Sequence, residues 1–481
     1  MHPKLTYPVL ATSVSHAALS CAAVLSCTLP SWSQSFESQS GPVKWPSHAN
    51  KSNTIHVHEK PKDPLLTKPT IPVDLATTRK ENEILLDKVD LFVRKNFYDP
   101  ELVKTGWIPA LKTNREEILR SKNLVELFKS MNKTMAALKS SHCEFATCND
   151  EIFYFLRDLF GQFNPQLRVA IDYVGFVTGA PRFADNQVRY VLDGSPAETA
   201  GLEVGDEIKS VEGQPYVGQH NFAGQSGKPL TLEIMRQGKP MRLVIRPVEE
   251  DEYLQYVHAI KASARTFNVN GHTLGYIHNW CGGGGPGAHD AMEDALAHKL
   301  ADTEGLILDL RDGYGGNSLS ELDFFYRNPA GYPNFVSHGR DGKTHTDIMY
   351  FDKPIVAIIN DGARSGKELL AFSLKRSGRA VLVGQNTAGF VLAGKYFDLG
   401  ERAALYLAVF DCTIGGVRLE GKGVAPDIEV DDHCCQSGKN EQLKRATDKL
   451  LELVNKPRKT PDTPDTKSSG SETGFNQASD R

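Results

Sequence analysis

Three segments in the first third of the chain repeat apolar residues at helical spacing. The pattern predicts amphipathic helices at 79–98, near 123–138 and near 150–159, because apolar residues recur there every three to four positions. Together they predict a small helical region over residues 79–164.

Short alternating runs then replace the helical pattern. Runs such as NQVRYVL and LTLEIMRQG are separated by turn residues and predict a β domain over residues 165–250. From residue 251 to 455, apolar runs such as GLILDLR and PIVAIIN alternate with helical segments, among them SLSELDFFYR and a last helix at 441–454. Alternation of this kind favours parallel βαβ units, so the fold class predicted for the chain is α/β.

The two ends of the chain differ from its middle. Residues 9–29 are uncharged, small and apolar, which is typical of a signal peptide over 1–34 and predicts export to a periplasmic or extracellular compartment. As a transmembrane helix the run is weak, because Ser, Thr and His dilute it. Its end loosely resembles a lipobox that would place a lipid on Cys27, the one membrane contact we expect. Residues 35–78 predict a tether and residues 456–481 a disordered tail.

Composition narrows the class of protein. Lys and Arg number 55 and Asp and Glu 59, a net charge of −4 that argues against a nucleic-acid binder and a polybasic membrane protein. Six of the eight cysteines lie beyond the predicted signal, which suits an oxidising compartment; Cys143 and Cys148 could close a short loop, but the pairing stays open. The chain contains neither CxxC nor HExxH, and its glycine runs lack nucleotide-binding spacing, so we expect no metal and no cofactor.

Two turns of the α/β region carry candidate chemistry. The segment 309–317, DLRDGYGGN, closes a buried strand with glycines, and backbone N–H groups at such a turn can hold an oxyanion. Ser365 begins the next predicted helix in DGARSGKE. By itself the first turn reads as an ordinary strand-to-helix connection. Ser365 and Glu368 by themselves form S-x-x-E, a capping box.

Taken together, these segments resemble the tail-specific, or C-terminal processing, serine peptidases and their tricorn-like relatives. The same order continues with GRA at 378–380 and the T-x-G turn at 387–389, and SPAETAGLEVGDEIKSVEG at 195–213 resembles a PDZ module. The resemblance covers roughly residues 80–455. It implies a PDZ domain at 165–250 inserted between the helical region and a crotonase/ClpP-like peptidase core at 251–455.

The resemblance also implies roles for residues. Ser365 would be the nucleophile, and Gly315 or Gly316 would hold the oxyanion together with Gly366. Unfolded or tail-exposed protein substrates would reach Ser365 through the PDZ groove. We place the carboxylate-binding loop of that groove at Gly175, Phe176 and Val177. The oligomeric state stays open.

The base is where this sequence departs from the bacterial branch of that family. The branch has a lysine directly after T-x-G, where this chain has Phe390. The tricorn-like branch instead uses Ser, His and Glu with a serine beside the histidine, and LKSSH at 138–142 and EGKGVAPD at 420–427 fit its two motifs. The resemblance therefore implies His142 as general base, with Glu420 orienting it through Ser141.

Two alternatives remain. Lys367 and Lys395 are the nearest lysines that could replace the missing base, and we expect both to be dispensable, Lys367 by pointing away along its helix. A catalytically inactive relative that acts as a PDZ scaffold is the competing function. An acyl-CoA enzyme with the same core fold is disfavoured by the PDZ-like module.

Overall fold

A computed structural model describes residues 75–161, 167, 169–179, 183–282, 287–316, 320–326, 335–338, 340, 344–347, 350–431 and 440–456. The chain divides into Met1–Pro61, which lies outside these ranges, and Lys62–Arg481, which contains every element described below. The predicted signal, most of the tether, all but the first residue of the predicted tail, and Cys21, Cys27, Cys434 and Cys435 also lie outside the described residues.

The helical region begins at a capping box. Thr78 accepts a hydrogen bond from the Glu81 N–H, and the Glu81 carboxylate accepts one from the Thr78 N–H, which satisfies two end groups of the first helix. The elements are α1 (Arg79–Asn96), α2 (Pro100–Leu102), a π turn (Val103–Trp107), α3 (Ile108–Leu119), α4 (Leu124–Met135), a 3-10 turn (Ala136–Leu138), strand β1 (Cys143–Thr147) and α5 (Glu151–Gly161). The three predicted helices are therefore present, with α1, α4 and α5 at their positions.

A β-rich unit follows, and it has a hydrophobic core of its own. Its elements are β2 (Ala170–Tyr173), β3 (Phe176–Thr178), β4 (Val188–Val191), α6 (Pro196–Thr199), β5 (Glu207–Val211), β6 (Gln214–Pro215), β7 (Leu230–Arg236), β8 (Lys239–Ile245) and β9 (Val248–Asp251). Strands β2 and β9 pair antiparallel, so the chain enters and leaves the unit at the same place. Leu230, Leu232 and Ile234 of β7 are buried at alternate positions, as a strand with one core face requires.

The remainder of the described chain builds the α/β core. Its strands are β10 (Arg265–Val269), β11 (His272–His278), β12 (Gly305–Asp309), β13 (Phe335–His338), β14 (Thr344–Asp347), β15 (Ile355–Ile359), β16 (Ala380–Gly384), β17 (Ala393–Asp398), β18 (Ala403–Phe410) and β19 (Ile428–Glu429). Its helices are α7 (Glu252–Ser263), α8 (Ala288–Asp294), α9 (Gly366–Arg376) and α10 (Glu441–Val454). The main sheet has the order β10-β11-β12-β15-β16-β19 and is parallel from β11 to β19, which confirms the α/β class.

Both faces of the main sheet are buried. Ile307 and Ile358 pack on one face with Leu450 of α10, whereas Leu308 and Ile359 belong to the larger core cluster on the other face. Strands covered on both sides need apolar residues at every position, which explains the uninterrupted runs in the sequence.

A second sheet joins the helical region to the core. Its order is β1-β18-β17, and Cys143 of β1 lies opposite Leu407 of β18. This pairing brings the turn that precedes β1 against the core. The sequence pattern by itself predicts no strand at β17 or β18.

Two expectations need correction. The segment 318–327, expected to be a helix, contributes only a 3-10 turn at Ser320–Phe324 among its described residues. Cys143 and Cys148 do not close a short loop: both are free thiols, and β1 between them is extended, which at ~3.3 Å per residue holds their backbones apart. Within the described ranges, no helix combines the length and apolarity that crossing a bilayer requires.

Candidate active site

Ser365 lies on the turn between β15 and α9, with an unusual backbone conformation. Its φ of 58° and ψ of −126° fall where residues other than glycine are rare, so neighbouring contacts must hold it there. The Ser365 N–H donates to the carbonyl of Phe390 at 2.8 Å and to a carboxylate oxygen of Glu368 at 3.1 Å. The backbone is therefore pinned, and the hydroxyl is left to face another side chain.

Glu368 ties this turn to the T-x-G turn. Its buried carboxylate also accepts hydrogen bonds from the Thr387 hydroxyl at 2.5 Å and from the N–H groups of Gly389 and Phe390, each at 2.7 Å. The S-x-x-E pair thus does more than cap a helix. It fixes the position of Ser365 relative to residues 387–390, a role that the sequence analysis missed.

His142 faces the Ser365 hydroxyl from 223 residues earlier in the chain. Its Nε2 lies 3.2 Å from Ser365 Oγ, within reach of a proton transfer. His142 has a φ of 54° in the turn just before β1, and its ring contacts that of Tyr406 on β18 at a centroid distance of 5.4 Å. The pairing of β1 with β18 is what carries this histidine to the core.

Ser141 and Glu420 complete a chain of hydrogen bonds behind the imidazole. Ser141 Oγ lies 2.8 Å from His142 Nδ1 and 2.9 Å from Glu420 Oε2, and the Ser141 N–H donates to Glu420 Oε1 at 2.9 Å. An ionised carboxylate only accepts, so the hydroxyl donates to Glu420 and accepts from Nδ1–H. We therefore assign the tautomer that leaves Nε2 free to accept the Ser365 proton.

Glu420 is itself held by the segment that follows the T-x-G turn. Its Oε2 accepts a hydrogen bond from the Val391 N–H at 2.7 Å, and the residue is 8% exposed. Phe390, at the position of the missing lysine, is 45% exposed, and Lys395 lies exposed on β17.

The glycines predicted to hold an oxyanion surround Ser365. Gly366 is the first residue of α9, and a Cβ on Gly315 would lie 2.4 Å from Ser365 Cβ and 2.7 Å from the Gly366 nitrogen. Only glycine fits there. Gly316, with a φ of 71°, packs on Gly282, where a Cβ would lie 2.2 Å from the carbonyl oxygen. Two glycine backbones thus meet at the nucleophile and at a helix N-terminus, the geometry suited to stabilising a developing negative charge.

The predicted peptide-binding residues lie elsewhere, in the β-rich unit. Gly175 has a φ of 86°, and its carbonyl accepts the Leu192 N–H at 2.9 Å. Phe176 is buried in the core of the unit, and Val177 is half-buried on β3. The structure does not bring these three residues into the Ser365 cluster.

Burial sets the ionisation of His142. Desolvation, assisted by the positive charge of Arg364, lowers the pKa of His142 to about 4, below the ordinary histidine value of ~6.5.

We therefore expect kcat/KM for a peptide to be flat through neutral pH and to fall only well below pH ~6, because the neutral imidazole is the form that accepts a proton. A pH–rate profile tests this, with aliquots returned to neutral pH to exclude acid inactivation. An acid limb with its midpoint at or above ~6.5 would contradict the assignment.

Ser141 offers a second test of the chain of hydrogen bonds. Ser141→Ala should lower kcat by ~10- to 150-fold with little change in KM, since a hydrogen bond to a charged group contributes ~1.5–3 kcal/mol and the imidazolium exists only during reaction. Ser140→Ala is the matched control, because the Ser140 hydroxyl contacts the Leu138 carbonyl and Tyr98. Equal loss in both variants would show that the turn, rather than the relay, is responsible.

Part of the chain is similar to a known peptidase family. A Ser–His–Ser–Glu arrangement on an α/β core is one that serine-type hydrolases can use. Residues 273–430 match the model of peptidase family S41, so this part of the chain is similar to that family.

Relatives carry related names. The chain is 29% identical over 262 residues to the carboxy-terminal-processing protease of Bartonella bacilliformis, covering 50% of this chain and 57% of that protein. It is 26% identical over 307 residues to the carboxy-terminal processing protease CtpB of Bacillus subtilis, and the match covers 59% of this chain and 61% of that protein. It is 27% identical over 299 residues to tricorn protease homolog 1 of Streptomyces coelicolor, and the match covers 56% of this chain and 26% of that protein.

Solved structures give weaker likenesses. The crystal structure of the tricorn protease superposes with a TM-score of 0.46 at 19% identity, covering 79% of this chain and 37% of that one. The photosystem II D1 C-terminal processing protease superposes with a TM-score of 0.44 at 17% identity, and the match covers 75% of this chain and 98% of that one. The chain spans 57% and 61% of the length of the first two curated relatives.

Proposed function

We propose that this protein is a serine endopeptidase that cleaves peptide bonds through an acyl-enzyme. The observation that carries the proposal is the continuous chain of hydrogen bonds from Ser365 Oγ through His142 and Ser141 to Glu420. A serine hydroxyl needs a base to take its proton, and an imidazole needs a partner to orient it. These hydrogen bonds supply both the base and its orienting partner, with the Ser141 hydroxyl inserted between the imidazole of His142 and the carboxylate of Glu420.

The reaction follows from these contacts. Ser365 Oγ attacks the peptide carbonyl carbon while its proton passes to His142 Nε2. The imidazolium keeps its Nδ1–H on Ser141, whose hydroxyl is polarised by Glu420. The carbonyl oxygen becomes an oxyanion held by the N–H groups of Gly366 and of Gly315 or Gly316.

Collapse of the tetrahedral intermediate breaks the C–N bond. The Nε2 proton goes to the leaving amine, and the acyl group stays on Ser365 as an ester. Water then gives a proton to Nε2 and attacks the ester carbon. Nε2 returns that proton to Ser365 Oγ, so a carboxylic acid leaves and the enzyme is restored.

We further propose that the β-rich unit is a PDZ domain that captures unfolded or tail-exposed protein chains. Support comes from the PDZ-like run at 195–213, from the unit's separate core and from β3, which within the described residues pairs with β4 alone. A peptide that adds to β3 as a strand would place its terminal carboxylate near Gly175. Relatives named for carboxy-terminal processing are consistent with this substrate class.

Paired substrates test this proposal. An unfolded protein with a free apolar C-terminus should be cleaved faster than the same chain with an amidated C-terminus, and Ser365→Ala should cleave neither. Equal rates for the free and amidated chains would remove the carboxylate-capture part of the proposal. Cleavage by the Ser365→Ala protein would remove the assignment of Ser365 as the nucleophile.

Export is proposed from the N-terminal pattern. The uncharged run at 9–29 supports removal of a signal peptide, and a lipid on Cys27 is the one membrane anchor proposed. Protein recovered from its native host should therefore begin after residue ~27–35, as N-terminal sequencing would show. An intact Met1 would contradict export by this route.

A further inference from the structure

Lys367 is a buried lysine beside the proposed nucleophile. It is the second residue of α9, and its side chain, expected to point away along the helix, is fully buried. Its Nζ donates to the Asp312 carbonyl at 2.6 Å and to the Arg311 carbonyl at 3.4 Å. A Cβ on Gly313 would lie 3.2 Å from the same nitrogen, so the amine sits directly against the glycine turn.

Burial of this amine opposes its charge. Desolvation lowers the pKa of Lys367 to about 7, because a buried ammonium loses its hydration. A buried lysine that contributed only packing would be replaced at lower cost by an apolar residue. Donation to two consecutive backbone carbonyls gives the amine a specific task.

The hydrogen bonds of Lys367 connect the two parts of the oxyanion site, the start of α9 and the glycine turn. The backbone of Lys367 directly follows Gly366, so it belongs to the same helical turn as Ser365. Its side chain reaches across to the turn that ends in Gly315 and Gly316. On the other side of that turn, Asn360 fixes Asp312, accepting its N–H at 3.1 Å and donating to its carboxylate at 3.0 Å.

We propose that Lys367 is a positioning residue for the oxyanion site. By holding the carbonyls of residues 311 and 312, it orients the peptide groups that follow, so that a glycine N–H and the Gly366 N–H converge on one oxygen. The proposal rests on the proposed peptidase function and deepens it.

The test separates positioning from folding. Lys367→Met removes the donors at similar length, Lys367→Gln keeps a shorter neutral donor, and Lys395→Met on the exposed face of β17 is the matched control. For each protein, kcat, KM and the inhibition constant of a peptide aldehyde would be measured, together with cooperative thermal unfolding. The aldehyde places a tetrahedral oxygen in the oxyanion site, whereas KM reports ground-state binding.

We expect Lys367→Met to lower kcat by ~10²-fold, comparable to the loss of one oxyanion donor. The inhibition constant of the peptide aldehyde should rise by a similar factor. KM should change by less than ~3-fold. The kcat of Lys367→Gln should lie between those of Lys367→Met and the wild type, and the kcat of Lys395→Met should match the wild type.

Other results would overturn the inference. Wild-type kcat in a folded Lys367→Met protein, or lost kcat with unchanged aldehyde affinity, would show that the amine does not shape the oxyanion site. Failure of both the Met and Gln variants to fold would assign Lys367 to the fold alone. Absence of turnover in the wild type would instead reject the proposed function, and this inference with it.

Discussion

Peptide hydrolysis should fall by at least ~10⁴-fold when Ser365 is replaced by alanine, because the variant has no atom that can form the acyl-enzyme. The protein should still fold. Alanine loses one hydrogen bond to His142, a change of ~0.5–1.5 kcal/mol, and must keep the same positive φ. Turnover of an unfolded protein substrate and the thermal unfolding midpoint measure the two effects.

The matched control for this variant is Ser373→Ala. Ser373 lies on the same helix, α9, and its hydroxyl donates to the Leu369 carbonyl, away from the candidate site. It should retain wild-type turnover. Hydrolysis that survives in Ser365→Ala would leave Ser365 as a helix-start residue and require a different nucleophile.

The second large effect is expected at His142. His142→Ala should lower kcat by ~10²–10⁴-fold, the usual contribution of a general base, while KM changes little. His258→Ala is a suitable control, because His258 lies on α7 beside Glu250 at 3.1 Å and takes no part in the described chain of hydrogen bonds.

A specific outcome would reverse this assignment. If His142→Ala kept wild-type turnover while Lys395→Met were inactive, the base would be a relocated lysine and the Ser–His–Glu assignment would be wrong. Loss in both Lys367→Met and His142→Ala would not reverse it, since Lys367 is proposed to act on the oxyanion site rather than as the base.

Much of the core could be predicted because its strands are buried on both faces. The runs that become β12, β15 and β16 are apolar except for Asp309 at the end of β12, and each is bounded by turn residues. Strands β17 and β18 escaped prediction. Part of β17 is exposed, with Lys395 and Asp398 facing outward, and the pattern alone did not reveal the antiparallel pair.

Prediction of the site depended on motifs rather than on geometry. Ser365 and Glu420 lie in recognisable segments, but nothing local states that β1 pairs with β18 and so carries His142 across to Ser365. Long-range pairing is set by the whole fold. The buried contacts of Glu368 and Lys367 were missed for the same reason: a helix-start glutamate resembles a cap, and a helix lysine resembles a solvated side chain.

Labelling with a fluorophosphonate probe tests the central claim most directly. The probe reacts with an activated serine hydroxyl and leaves a covalent phosphonyl group that survives peptide mapping. We predict a single labelled peptide modified at Ser365, with labelling strongly reduced in His142→Ala and unchanged in Ser140→Ala. Lack of labelling at Ser365 in the folded wild-type protein would contradict an active Ser–His–Glu site and favour an inactive relative that acts as a PDZ scaffold.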